Sequence, residues 1–162
     1  MKTLLLMRHA KSSFKDGSMP DFERPLSKRG EKDAPRMGKL LREKDLVPDL
    51  IIASSAVRAK ATAELVAEKS GYKGEILYVE DLYLGEPAAY LDALRNLDDG
   101  IETVLVIGHN PGLETLLQIL TDKVESLSTA AIAHLEVPLR TWKALDTAVI
   151  ATLKHLWRPR DL

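Results

Sequence analysis

Apolar residues along this chain fall into short unbroken runs, separated by stretches whose apolar positions recur at helical spacing. Runs at 4–7, 50–53, 76–79 and 103–107 are rich in Leu, Ile and Val. Unbroken runs of this length predict strands, the first of them buried on both faces, as in parallel sheets. They place strands over 3–8, 50–53, 76–79 and 103–107. A fifth strand is predicted over 130–137 and a short sixth over 142–145. Ser27 is a suitable N-cap for a helix reaching about residue 44, with Met37, Leu40 and Leu41 on one face. Pro35 costs ~3 kcal/mol in a helix interior, so the helix is expected to start near Asp33 or to kink at Pro35. A second helix is predicted over 57–69, ended by Gly71, and a third from Glu86 or Pro87 to about Arg95. The fourth carries Leu113, Leu116, Leu117 and Leu120, with Asn110 as its cap and Pro111 as its first residue. Residues 146–156 fit helix or strand. The tail 157–160 is expected to be an exposed end.

Alternation of strand and helix predicts an α/β fold of three layers, a mostly parallel central sheet with helices on both faces. The length of 162 residues suits a single domain over 1–162. One stretch breaks the alternation. Residues 10–26 form a long polar loop, and long loops in compact domains tend to be functional.

Composition narrows the partners. The chain is 45% hydrophobic and 29% charged, with a net charge of −1. That balance gives no general attraction to nucleic acid or to an anionic membrane, so neither is expected as a partner. Cysteine is absent, which excludes disulfides, thiolate catalysis and zinc–thiolate sites. His9, His109, His134 and His155 show no metal-ligand spacing, and no metal or cofactor is expected. The apolar run at 4–7 is too short for a signal core or a membrane span, so a cytoplasmic location is expected.

The chemistry gathers at strand ends. The first run changes within one peptide bond to Arg8-His9. A buried strand cannot continue through an unpaired charge, so it emerges there. The second strand runs into Ser54-Ser55, with Arg58 on the first turn of the next helix. The fourth ends in Gly108-His109-Asn110-Pro111-Gly112. C-terminal strand ends of a parallel sheet share one edge, where ligands bind. Two guanidinium groups and two imidazoles on one edge repel each other unless an anion lies between them, and phosphate is the simplest such anion. Helix N-termini near Ser55 and Asn110 would add backbone N–H donors. Arg24 is a candidate contact at the rim. His134, in an apolar strand pattern, reads as a core or edge histidine, and His155 as structural.

Several segments together resemble one family. Met7-Arg8-His9-Ala10-Lys11-Ser12-Ser13 is similar to the Arg-His-Gly signature of the histidine phosphatase superfamily, whose fold is phosphoglycerate mutase-like. Closer still, it resembles the small phosphohistidine phosphatases of the SixA type, in which Ala in place of the Gly is usual. Arg24-Pro25-Leu26-Ser27-Lys28-Arg29-Gly30, Pro48-Asp49-Leu50-Ile51, the stretch from Ser54 to Glu64, Leu82-Tyr83 and Val106-Ile107-Gly108-His109-Asn110-Pro111-Gly112 follow in order. Ser128-Thr129-Ala130-Ala131 matches a Pro-Thr-Ala-Ala segment with Ser128 for Pro.

The resemblance implies that His9 accepts the phosphoryl group in a covalent, metal-independent reaction. It further implies that Arg8, Arg58 and His109 hold that group, with His109 as an imidazolium. Ser12, Ser13, Arg24 and Asn110 are expected to bind substrate. Larger relatives carry an acidic proton donor in an inserted region for which this chain has no room. Glu80, Asp81 and Glu86 are the available acids, with no choice among them. An ester leaves as an alkoxide and needs a proton, whereas protonated phosphohistidine leaves as neutral imidazole. The expected substrate is therefore phosphohistidine in a phosphorylated signalling protein, with Lys11, Lys15 and Arg24 touching that partner. The alternatives are a small phosphorylated substrate, cleaved by a phosphomonoesterase on the same fold, and a phosphoprotein-binding module without catalysis.

Overall fold

The computed structural model describes residues 1–14 and 17–162. Lys15, expected at the rim, lies outside the described residues, as does Asp16. Six strands form one sheet: β1 (Lys2–Arg8), β2 (Leu50–Ser54), β3 (Ile76–Val79), β4 (Thr103–Gly108), β5 (Ile132–Val137) and β6 (Thr152–Trp157). Their order is β3-β2-β4-β1-β5-β6. The first four in that order run parallel, while β5 is antiparallel to β1 and β6 antiparallel to β5.

The predicted two-sided burial follows from the pleat. In β1, Leu4 and Leu6 enter one core while Leu5 and Met7 enter the other. Val104 and Val106 of β4 join the first core, and Leu105 and Ile107 the second. Helices α1 (Lys28–Glu43) and α2 (Val57–Ser70) cover the second core through Met37, Leu41, Ala63 and Val66. Helices α3 (Pro87–Arg95) and α4 (Gly112–Thr121) cover the first through Leu91, Leu94, Leu113 and Leu116. The layers are thus helix, sheet, helix. Truncating a central residue such as Leu5 to Ala would cost ~2–5 kcal/mol, because it is fully buried and its neighbours cannot close the gap.

Several expectations need correction. α1 begins at Lys28, with the Ser27 side chain accepting from the Gly30 N–H, and it continues through Pro35. It does not start near Asp33. The burial of Ala34, Met37 and Leu41 around Pro35 outweighs the ~3 kcal/mol penalty of an interior proline. Residues 142–145 are not a strand: Trp142–Ala144 is a short 3-10 helix that seats the Trp142 ring under Ile101, its Nε1 donating to the Ile101 carbonyl at 2.7 Å. Residues 152–157 are the edge strand β6. The tail is docked, with Pro159 buried and the Arg36 guanidinium donating to its carbonyl at 3.3 Å.

The register sets the working edge. Arg8 pairs with Gly108, and Ala53 with Ile107. The C-terminal ends of β1, β2 and β4 therefore lie side by side, and the chain leaves each toward the same rim. Among the described residues, no helix is long and apolar enough to cross a membrane.

Candidate active site

His9 sits one residue past β1, and its backbone stays on the ladder through a bond from its N–H to the Gly108 carbonyl at 3.0 Å. The next N–H, of Ala10, donates to Thr62 Oγ1 at 3.0 Å, and Thr62 in turn donates to the Arg58 carbonyl at 2.7 Å. The strand exit is thereby tied to α2. His9 Nδ1 lies 2.7 Å from the Ala10 carbonyl. A carbonyl only accepts, so Nδ1 carries the proton and Nε2 keeps its lone pair. Burial, helped by the nearby His109, Arg58 and Arg8, pushes the ring down to about 3 against the opposing Ala10 hydrogen bond. At neutral pH His9 is thus a neutral imidazole with Nε2 as its nucleophilic atom.

His109 follows β4, with its ring 5.0 Å from that of His9. Its N–H donates to the buried Tyr90 hydroxyl at 3.0 Å. A Cβ on Gly108 would come 2.2 Å from that hydroxyl, so only glycine lets Tyr90 brace the turn. His109 Nε2 meets Ser54 Oγ at 2.8 Å. Burial first, then the Arg58 and Arg8 charges, hold the ring down to about 4, with Asp21 opposing. His109 is therefore neutral at neutral pH, not the expected imidazolium. The histidines at the ends of two adjacent strands are only 7% and 4% exposed, and burial beside two arginines disfavours a third cation there.

Arg58, 5% exposed, is held by a residue the sequence reading did not single out. Its Nη1 donates to the Asp21 carbonyl at 2.7 Å and its Nη2 to Asp21 Oδ2 at 3.0 Å. The Tyr83 hydroxyl donates to the same Oδ2 at 2.6 Å, and Arg24 Nη1 donates to Oδ1 at 2.7 Å. Donation from Tyr83, then from Arg24 and Arg58, keeps the Asp21 carboxyl well below the usual carboxylate range. Asp21 is thus an ionised clasp joining loop 10–26 to α2. Arg24 is not a rim residue. It also donates to Ser12 Oγ and to the Ser13 carbonyl, and its guanidinium lies over the Phe14 ring at 3.7 Å. Gly30 lets this loop close on α1, since a Cβ there would lie 2.1 Å from the Lys11 carbonyl.

Arg8 completes the ring of cations. Its Nη1 donates to the Leu127 carbonyl at 3.1 Å, an acceptor it shares with Asn110 Nδ2 at 2.9 Å. The Leu127 N–H is fixed by Glu114 Oε2 at 2.7 Å. Arg8 Nε is buried with no hydrogen-bond partner among the described residues. A buried donor without an acceptor is costly to the fold.

Arg8, His9, Arg58 and His109 all line one hollow of about 280 Å³, joined by Lys11, Ser12, Arg24 and Thr129. Asn110 lines it too, but its amide nitrogen is committed to Leu127 and it is not the cap of α4; Pro111 holds that position. Ser13 does not line the hollow and contributes its backbone carbonyl to Arg24. Glu80, Asp81 and Glu86 are exposed and stand outside it, because the 3-10 turn Glu80–Leu82 buries only Leu82. Asp21, Tyr83 and Thr62 escaped the sequence reading as functional residues, while Ser54 was placed at the strand end without a role. Tyr83 and Thr62 lay within the family-like segments, which was a usable signal. Nothing local marks Asp21, whose partners stand 37 and 62 positions away.

The profile of the histidine phosphatase superfamily (branch 1) matches residues 4–83. An uncharacterized protein of Mycobacterium tuberculosis is 34% identical over 148 residues, covering 91% of this chain and 86% of that one. The chain belongs to the histidine phosphatase superfamily. Another relative in sequence, an uncharacterized chloroplastic protein of Arabidopsis thaliana, is 30% identical over 151 residues, 88% of this chain and 69% of its own. Among solved structures, the protein histidine phosphatase SixA complexed with tungstate superposes with a TM-score of 0.83 at 23% identity, covering 98% of both chains. That likeness bears out the phosphoglycerate mutase-like fold expected from the resemblance. Within this histidine phosphatase superfamily member, Arg8, His9, Arg24, Arg58 and Tyr83 fall inside the matched stretch, while His109 reaches the hollow from outside it.

Proposed function

We propose that this chain is a phosphatase that passes a phosphoryl group through His9, with phosphohistidine carried on a protein as its substrate. The carrying observation is the His9 ring, neutral and tied through Nδ1–H to the Ala10 carbonyl, at the floor of a hollow lined by three arginines. In the first step His9 Nε2 attacks phosphorus in line, and the bond to the substrate's leaving nitrogen breaks as that nitrogen takes the electron pair. In the second, water attacks the phosphorus of phospho-His9 and the His9 ring departs. The Nδ1 proton makes this departure easy: the phosphorylated ring is already protonated and leaves as neutral imidazole. Arg8, Arg24 and Arg58 face the equatorial phosphoryl oxygens, where charge is spread in the transition state. A phosphoryl dianion beside His109 favours its protonated form, so the imidazolium of the original expectation arises with the substrate.

The leaving group follows from the acids at hand. No carboxylic acid lines the hollow among the described residues, and Asp21 is held ionised by its donors. A group that must be protonated to leave is poorly served there. Phosphohistidine, already protonated on its ring, is well served. The direct test compares kcat/KM for a histidine-phosphorylated protein with that for p-nitrophenyl phosphate, with a chelator present throughout. The expected result is faster loss of phosphate from histidine and no effect of chelation. Faster hydrolysis of a sugar phosphate would assign a small-molecule phosphomonoesterase instead.

A further inference from the structure

The cationic hollow is surrounded by side chains of opposite character. Phe14 and Leu84 both line it, yet they are 73% and 75% exposed. Large apolar residues so exposed are normal when scattered singly, but these two share the lining of one charged hollow. Phe14 is braced from behind, with the Arg24 guanidinium on its ring at 3.7 Å, so it meets an arriving surface already in place. Leu84 is held in the left-handed backbone region, at φ 56°, which leucine seldom adopts. Beyond Leu84 the rim continues into a second hollow of about 420 Å³, lined by Pro87, Pro111 and Thr115, with Glu86 at its side.

Size and surface chemistry together bear on what stands on this rim. Sites that enclose a small ligand span ~300–1,000 Å³, and the hollow around His9, at about 280 Å³, lies at the foot of that range. A phosphorylated molecule that extends beyond the hollow would pass Phe14 and Leu84, which line it. A sugar or other polyhydroxylated body would place its hydroxyls against both and lose hydrogen bonds to water.

We infer that Phe14 and Leu84 are a docking rim for a protein segment that carries its phosphorylated side chain between apolar residues, one of which enters the hollow beyond Leu84. The negative charge of the phosphoryl group seats on Arg8, Arg24 and Arg58, and its apolar flanks seat on the rim. This inference rests on the proposed function and names the surroundings of its substrate.

The test uses the full chain and three probes: N-phosphoimidazole, a phosphohistidine peptide with leucines on both sides, and the same peptide with serines. N-phosphoimidazole reports the phosphoryl hollow alone, so the informative quantity is each peptide's kcat/KM divided by that of N-phosphoimidazole. The leucine peptide is expected to exceed the serine peptide by about tenfold, through KM, since 1.4 kcal/mol of apolar contact is a factor of ten. Leu84→Ser and Phe14→Ser should each remove most of that preference. Equal treatment of the two peptides, or a preference that survives both substitutions, overturns the rim while leaving the phosphatase reading intact. The same Leu84-dependent preference for a long-chain N-alkyl phosphoramidate would make the occupant an apolar small molecule. Failure to hydrolyse N-phosphoimidazole and both peptides would sink the proposed function and the rim with it.

Discussion

Two pairs of histidines occupy this molecule at nearly the same ring separation, in settings that differ in every respect the proposed chemistry depends on. His9 and His109 stand 5.0 Å apart with rings tilted by 54°. His134 and His155 stand 5.6 Å apart, stacked at 26°, as register partners on β5 and β6. Trp157 extends the second pair into a ladder, 5.0 Å from His155. The first pair ends two parallel strands, beneath arginines, with a carbonyl that fixes one tautomer. The second lies mid-strand on an antiparallel edge, where its charged neighbours are Glu136 and Lys154. Ring proximity is common to both. The buried arginines, the fixed proton and the strand-end exit belong to the first alone, and those are what the proposed phosphoryl transfer would use.

The sharpest way to break this contrast is to remove one ring from each pair. His9→Ala should abolish turnover and the acid-labile phospho-enzyme seen by mass spectrometry, with circular dichroism unchanged. His134→Ala should leave turnover within about twofold, because changes away from a site seldom exceed ±0.5 kcal/mol. Equal losses from the two would show that the strand-end setting is not decisive. Next in size are the groups around His9. Arg58→Ala and His109→Ala should each lower kcat by about 10²–10³, the usual cost of deleting one fixed transition-state donor. His155→Ala should not. A loss confined to KM would mean that Arg58 binds substrate and transition state equally.

The pairs should also differ in how they respond to acid. His9 and His109 have folded-state values of about 3 and 4 against an ordinary 6.5. From pH 6.5 downward the unfolded chain therefore binds more protons than the folded one, and stability falls with pH. Each histidine contributes at most about 1.4 kcal/mol per pH unit within that window. Thermal unfolding between pH 7.5 and 5, where carboxylates stay ionised, should show a falling Tm. His109→Gln should flatten that fall, and inorganic phosphate at pH 5 should raise Tm by stabilising the protonated ring. His134 is also lowered by burial, but its ring is only half-buried, so His134→Gln should flatten the slope less.

The same contrast explains what could be read from residues alone. β1, β2 and β4 were legible because parallel strands buried on both faces leave unbroken apolar runs, and β3, though an edge strand with Leu77 47% exposed, keeps an apolar run of its own. Arg8, His9, Arg58 and His109 were legible because a charge directly after such a run must surface at the strand end. β6 was not, since an edge strand needs apolar residues on one face only, and Thr152-Leu153-Lys154-His155 alternates too weakly to exclude a helix. The neutrality of His109 was not legible either, because it depends on how deeply two strand ends are covered. Glu80 and Asp81 suggested themselves by their place after β3, but the 3-10 turn there points Leu82 inward and both acids out.

Asp21 offers the smallest and most discriminating effect. Its carboxylate meets Arg58, Arg24 and Tyr83, so it orients two arginines and also competes with an incoming anion for them. Asp21→Asn removes the charge while keeping one acceptor oxygen. Phosphate should then inhibit more tightly, because the hollow gains net positive charge. Turnover should fall, because Arg58 loses part of its fixed orientation. The Asp21 side chain is 47% exposed, and pairs so open to water are worth ~0.2–1 kcal/mol, which sets both changes at about fivefold or less. The gain in phosphate affinity should shrink in 1 M salt, where the screening length drops to ~3 Å. A scaffold residue would lose both affinity and turnover on substitution. Opposite signs in the two measurements are what a carboxylate that both aims and occupies the arginines must produce.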